Sequence, residues 1–454
     1  MTRYILRLAL VTMLPLLALN AAAQEPMPLS LQQAMDYAVK NNASAKNARL
    51  DVEIQRAQVN QQVSVAYPQV NGKYDLNAYA VKPAQFFPGA FAAFFPGGNP
   101  ADTSDFQGFP LSPRYTSAGS ITASQILFDG GVMIALKARN TVIELARQNG
   151  QLTEENVRYN VQKAYNALVI AHRQFNIIKN SLSSARSIAH DIAVLRQSGF
   201  AEKIDEDRTN VQVNNLATDS LKIANLLMVS EQLLKFQMGM DIHQPVMLTD
   251  TMIENSISDV VAVSEQPVDY TRRTEFSLLN TQQRLNEFNL QRYKLTILPS
   301  LSLFATGGYN TASDKFERVF NGKYYPSLIV GAQLNVPIFG GGMRLNLIRE
   351  AKLNIEKTQN NIDNIKLTID FQAEQAKTTL KNDVLQLESQ KRNLALANSV
   401  LDLAQKKYKA GVGSNLEVNQ AQTDLLQAQN NYFSSLLDVV NAQADLKKAL
   451  GLLK

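Results

Sequence analysis

Residues 125–131 read QILFDGG, and residues 336–342 read VPIFGGG. In each, an alternating, strand-like run ends at a glycine cluster, and a long stretch nearly free of breakers follows. Proline lacks an N–H and glycine costs backbone entropy, so both punctuate helices. Residues 132–198 hold no proline and one glycine, Gly150, while 343–410 hold neither. The stretches 29–66, 200–238, 268–298 and 414–450 also lack both, and six long helices are the direct reading.

The breakers recur at a nearly constant offset. Phe128 and Phe339, Gly199 and Gly411, and Gly239 and Gly451 lie 211, 212 and 212 residues apart. Helix, strand pair, very long helix, glycine turn and helix are thus written twice. The first repeat reads as 24–240, with strands near 68–80 and 115–128 and a long helix over 130–198. The second reads as 268–454, with strands near 300–310 and 327–339 and a long helix over 342–410. Residues 241–267, with Pro245 and Pro267, connect them.

Arg3 and Arg7 precede an apolar run over 8–19, and Ala21, Ala22 and Ala23 offer a small-residue cleavage site, so 1–23 reads as a secretory signal. That run is too short to span a membrane, which takes about twenty residues. No later apolar stretch is long enough, so membrane contact by the mature chain has to come from strands or from segments lying on the surface. There is no cysteine, which excludes disulfides, a lipidated N-terminal cysteine and thiolate metal sites. The net charge of +5 falls to +3 without Arg3 and Arg7, too even a balance to argue for nucleic acid.

Catalysis finds no foothold. His172 and His190 lie eighteen residues apart on one helix, about 27 Å, so they cannot share a metal, and His243 falls in the connector. Glycine-rich phosphate loops, nucleophile elbows and zincin motifs are missing. The scattered methionines read as packing. The expectation is a protein that is not an enzyme and holds no metal or cofactor.

The long helices carry heptad stripes. Val161, Leu168, Phe175, Leu182 and Ala189 are seven apart, as are Leu380, Leu387, Leu394, Leu401 and Tyr408. A helix over 132–198 would run about 100 Å, deeper than an ordinary globular core. Its other faces are rich in Asn and Gln, as in NQAQTDLLQAQNN at 419–431, and look wet on more than one side. A solvated coiled coil would read the same way.

The strands decide between coiled coil and conduit. In VNGKYDLNAYA, Val70, Tyr74, Leu76 and Ala78 point one way while Asn71, Lys73, Asp75 and Asn77 point the other. In SLSLFATGGY, Leu301, Leu303, Ala305 and Tyr309 oppose Ser300, Ser302 and Thr306. Each run is about ten residues, the length of a tilted transmembrane strand with a lipid face and a water face. Hairpins capping a soluble bundle would share the pattern. Four strands cannot close a barrel, for which about eight are needed. In lipid each open edge would leave on the order of ten unpaired backbone groups, at several kcal/mol apiece. Other copies must complete the sheet: two chains in all give eight strands and three give twelve, and the larger barrel leaves a waterway, so a trimer is expected.

These residues resemble the TolC-like outer-membrane efflux proteins across essentially the whole mature chain. The likeness rests on the duplicated plan, on AYPQVNG at 66–72 and ILPSLSL at 297–303, on FDGG and FGGG, and on YKAGVGSNLEVNQAQTDLL at 408–426. It implies a mixed, mainly α fold: a trimeric 12-stranded outer-membrane β-barrel continuous with a long periplasmic α-helical barrel. It also implies a passive exit duct of a tripartite efflux or type I secretion system, a homotrimer set in outer-membrane lipid. The duct would meet a periplasmic adaptor and an inner-membrane pump. The competing reading is a periplasmic coiled-coil scaffold or adhesin.

By the same resemblance Gly199 and Phe200, with Gly411, Val412 and Gly413, become the tips that adaptors grip, although Ser198 to Ala201 departs from the family turn. Glu417 matches an acid ringing the periplasmic aperture, and the second acid of that ring corresponds to Gln420. Asp205 matches an acid tied to an arginine, whose position here is Gly413, and the gating Tyr408 is kept. The expectation is a loosely latched closed state in which Glu417 sets cation preference. Against this, Ser414 to Glu417 also reads as a capping box, and Lys406, Lys407 and Lys409 as offsets to a helix dipole. The Phe-rich insertion 82–113, with Phe86, Phe87, Phe91, Phe94 and Phe95, should face outside the cell. There it collapses on its own aromatics, lines the mouth or docks a partner.

Overall fold

The computed structural model describes residues 27–98, 106–249 and 267–453. The signal at 1–23 and most of the connector lie outside the described residues. Contacts divide the chain into two units, each assembled from separated segments: 54–144 with 281–359, and 1–53 with 145–280 and 360–454.

In the first of these units, β2 (Gln69–Ala78), β5 (Tyr115–Phe128), β7 (Ser300–Ser313) and β8 (Tyr325–Asn335) form one antiparallel sheet in the order β2-β5-β7-β8. The register aligns Val70, Ala123, Ala305 and Val330, then Gly72, Ile121, Gly307 and Leu328, then Tyr74, Gly119, Tyr309 and Pro326. Paired residues share a face, so the apolar sets of all four strands fall on one side. Asn71, Thr122 and Thr306 align on the other, where the Thr122 and Thr306 hydroxyls meet at 3.0 Å. Large apolar residues break the rule there: Ile126 aligns with Ser302, Ile329 with Thr306, and Phe304 covers Gly331, whose added Cβ would stand 2.8 Å from the ring. The outer edges of β2 and β8 are unpaired among the described strands. β8 ends before Pro337, which has no N–H to give a ladder.

The glycine clusters lead directly into helices. α3 (Gly130–Gln197, 68 residues) and α7 (Met343–Lys409, 67 residues) start at the junctions. At the first, a Cβ on Gly130 would come within 2.9 Å of Leu295 Cβ and its carbonyl oxygen. At the second, Gly341 and Gly342 have φ of +56° and +81° in open space. One junction needs glycine for room, the other for a left-handed backbone.

Between β2 and β5, β3 (Gln85–Pro88) pairs with β4 (Phe106–Phe109). Phe87, Phe95 and Phe109 pack together with centroids 4.5–6.3 Å apart. The collapse is incomplete, because Phe86, Phe91, Phe94 and Phe106 remain more than half exposed.

The other unit holds β1 (Met27–Leu29) paired in parallel with β6 (Val246–Leu248) and most of the remaining helical residues, while the short α6 (Arg318–Asn321) belongs to the unit of the sheet. The single helix expected over 29–66 is two, α1 (Leu31–Asn41) and α2 (Ala43–Val63). Asn42 divides them: its Oδ1 accepts from Ser44 N–H and its Nδ2 donates to the Gln237 carbonyl, both at 2.8 Å. The side chain thereby supplies bonds the helix would have made. The helix expected from 268 starts later, as α5 (Thr274–Leu295), after a 3-10 turn at Tyr270–Arg272.

Helices α4 (Lys203–Met238) and α8 (Asn415–Ala449) follow the two long ones. The heptad residues Val161 and Leu168 are fully buried, in one cluster with Tyr165, Leu234 and Met238. Leu380 and Leu387 pack with Leu436, Val440 and Leu446 in another. Of the described helices, none is long and apolar enough to cross a membrane.

Candidate functional site

The candidate aperture is built where α3 turns into α4 and α7 into α8, all within one unit. At the first turn Gly199 N–H donates to the Arg196 carbonyl and Phe200 N–H to that of Leu195. At the second, Gly411 N–H donates to Tyr408 and Val412 N–H to Lys407. Both are Schellman closures around a glycine with φ near +80°, Gly199 at +81° and Gly411 at +75°. The first turn departs in sequence from the family pattern yet has the geometry of the second. Each presents an apolar residue to solvent, Phe200 at 83% and Val412 at 78% exposure.

Gly413 is confined: a Cβ would lie 2.9 Å from Lys407 Cβ and 3.0 Å from Tyr408 N. No side chain fits there without moving the turn, so an arginine could not stand at this position in the observed backbone. Asp205 finds another partner. Asn415, the first residue of α8, is buried and its Nδ2 donates to the Asp205 carbonyl at 2.9 Å, approaching Asp205 Oδ1 at 3.4 Å and Thr209 Oγ1 at 3.2 Å. Thr209, also buried, donates to the same carbonyl at 2.8 Å. Burial and the nearby Asp205 carboxylate push the Tyr408 phenol upward, so it stays neutral and able to donate. A cavity of about 610 Å³ opens between Tyr408, Phe200, Val418 and the last turns of α3.

Glu417 is exposed one turn into α8, and half of its capping box is formed, with its N–H bonded to Ser414 Oγ at 3.2 Å. Gln420 is exposed on the same helix and donates to Asp424 Oδ1 at 2.8 Å. Asp424, which the sequence reading passed over, is seven residues beyond Glu417 and so lies on its face of α8 two turns on. The heptad continues through Asn431 to Asp438 and Asp445, a spacing that was legible in principle. Asp438 faces Asp383 of α7, whose carboxyl is pushed up by burial and then by the neighbouring charge. Asp445 is occupied by the Tyr159 hydroxyl and Lys163. The expected residues therefore split into two sets: Asp205 lies at the α4–α8 contact with Asn415, close enough for its charge to act on Tyr408 at the end of α7, and Glu417 and Gln420 face solvent. No His, Asp or Glu grouping among the described residues could hold a metal.

Known proteins of this architecture supply the comparison. Residues 276–452 match the outer membrane efflux protein family. The chain is similar to the outer membrane protein TolC of Vibrio cholerae, at 20% identity over 76% of this chain and 78% of the relative. It is similar to the pyoverdine export outer membrane protein OpmQ of Pseudomonas aeruginosa, at 24% identity over 74% and 69%. The crystal structure of the Campylobacter jejuni CmeC outer membrane channel superposes with a TM-score of 0.70 at 18% identity, covering 93% of this chain and 85% of that one.

Proposed function

Since this chain belongs to the TolC-like outer membrane efflux protein family, we propose that its four strands are one third of a twelve-stranded barrel. The protein is an outer-membrane efflux or secretion duct. The observation that carries the barrel is the sheet itself: an apolar face continuous over four strands, with two edges that are unpaired among the described strands. In hydrocarbon those edges are untenable, and neighbouring copies can seal them. On this reading the chain is two repeats, 24–240 and 268–454, joined by 241–267. Its lipid contact is the apolar face, and α3 and α7 lead cargo through the periplasm.

The partners follow from the tips. Phe200 and Val412 are apolar knobs on rigid turns, suited to the periplasmic adaptor that links the duct to an inner-membrane pump. Glu417 and Asp424 supply aperture charge and set cation preference. Asn415, Thr209 and Asp205 hold α8 to α4 through neutral hydrogen bonds, weaker than a charged pair would be, which favours a lightly latched closed state. Fractionation tests the whole reading. The protein should leave outer membranes only with detergent, as a trimer, and should conduct in planar bilayers. A monomer that dissolves without detergent would instead support a periplasmic scaffold.

A further inference from the structure

Helices α3 and α7 are the first to follow the sheet, one residue after β5 and seven after β8, and neither has an acid in its first turn, where the positive end of the helix dipole favours one. Bases stand there instead. Lys137 and Arg139 lie in the first three turns of α3, and Arg344, Arg349 and Lys352 in the first three of α7. Arg344 is partly exposed and the other four are exposed. None of the five forms an ion pair among the described residues. Asp129, the acid closest to the start of α3, is occupied in capping it, accepting from Val132 N–H at 2.9 Å. Five positive charges thus gather at two helix starts against a single acid in the same turns, the exposed Glu350, with which none of them forms an ion pair, and in the orientation the dipole disfavours.

Their position indicates what supplies the counter-charge. At 1.5 Å per residue they stand roughly 1.5–14 Å along their helices from the first helical residue. Side chains on a helix lean toward its N-terminus, here toward the strands. If the strands lie in the bilayer, as proposed above, the headgroup layer is roughly 5–8 Å deep on that side, within reach of extended Lys and Arg side chains or of their unscreened field. The basic residues at the end of α5, Arg292 and Lys294, need no such partner, since a helix C-terminus favours cations.

We propose that Lys137, Arg139, Arg344, Arg349 and Lys352 form a basic collar that binds the phosphate headgroups of anionic glycerophospholipids in the leaflet from which the helices emerge. Charge complementarity selects the occupant: a row of flexible, unpaired cations beside a membrane matches a diffuse anionic surface. The inference rests on the strands being in the membrane.

Its test reads lipid and pore separately. Full-length protein is reconstituted in equimolar phosphatidylethanolamine and phosphatidylglycerol, re-extracted in mild detergent, and its retained lipid measured by mass spectrometry at low and high salt. The expected result is an enrichment of phosphatidylglycerol on the order of tenfold, lost at high salt and in a variant with all five residues changed to Gln. A variant exchanging Lys for Arg and Arg for Lys should keep it. Wild-type protein that conducts yet retains both lipids equally would overturn the collar and leave the duct standing. So would loss of the trimer, or a changed ion selectivity, in the Gln variant with lipid retention unaltered, since the charges would then face another copy or the bore. Protein that never enters the bilayer would sink the duct reading together with the collar.

Discussion

Asn415 lies 210 residues from Asp205 in the chain, yet its amide ties the start of α8 to the start of α4. Removing it should cost about 1–2 kcal/mol of closed-state stability, since one neutral bond is lost while Thr209 still satisfies the Asp205 carbonyl. Asn415→Ala is therefore expected to raise the open-to-closed ratio of single channels by roughly five- to thirty-fold. Asn415→Asp should raise it further by setting a carboxylate against Asp205. An unchanged open probability in both would remove Asn415 from the gate. Glu417 offers a second test, because its carboxylate has no partner among the described residues. Glu417→Gln should weaken cation selectivity and divalent-ion block, and Asp424→Asn should add to the loss. The same residues show what could be read in advance. A missing arginine was visible as Gly413 in the sequence, but its replacement was not, because Asn415 bonds a main-chain carbonyl on a helix from the other half. Asp424 was within reach, as a heptad continuation of Glu417.

Secondary-structure elements were more legible than their joints. Alternation assigned the faces of β2 and β7, and the ladder registers agree, because a single-residue slip would have mixed the two sets. Ile126, Phe304 and Ile329 escaped, since period-two patterning gives the face of a residue and not the reason an apolar one stands on the wet side. The break at Asn42 escaped as well: neither Gly nor Pro marks it, and the cap is a side chain reaching Gln237. The two glycine junctions look alike on paper and differ in cause. Gly130 is there because Leu295 leaves no room for a methyl group, whereas Gly340 has open space around it and an ordinary φ. Gly130→Ala should therefore lose about 1–3 kcal/mol to overpacking and lower the melting temperature of the detergent-solubilised protein by several degrees. Gly340→Ala should leave it unchanged. Equal melting of the two variants would mean that the α3–α5 contact gives way at no cost.

For the whole molecule, composition and breaker spacing carried most of the architecture: a long chain without cysteine, with breakers repeated at a fixed offset, leaves few alternatives to a duplicated, helix-rich plan. A sheet with one dry face and two open edges is stable in lipid only as a part of something larger. The division of its two faces separates two neighbouring positions on the edge strand β8. Val330 aligns with Ala305, Ala123 and Val70 on the apolar face, while Gln333 aligns with Ser302 on the other. In a twelve-stranded barrel Val330→Arg would place a charge in hydrocarbon near the middle of the strand, at a cost of about 2–4 kcal/mol per copy, and three copies share the assembly. Gln333→Arg would place the same charge in a water-filled bore. The expected outcome is that Val330→Arg depletes the trimer from outer-membrane fractions, whereas Gln333→Arg assembles normally and shifts conductance toward anions. If the two variants assemble alike, the faces are not divided between lipid and water, and the sheet is a hairpin cap on a soluble bundle.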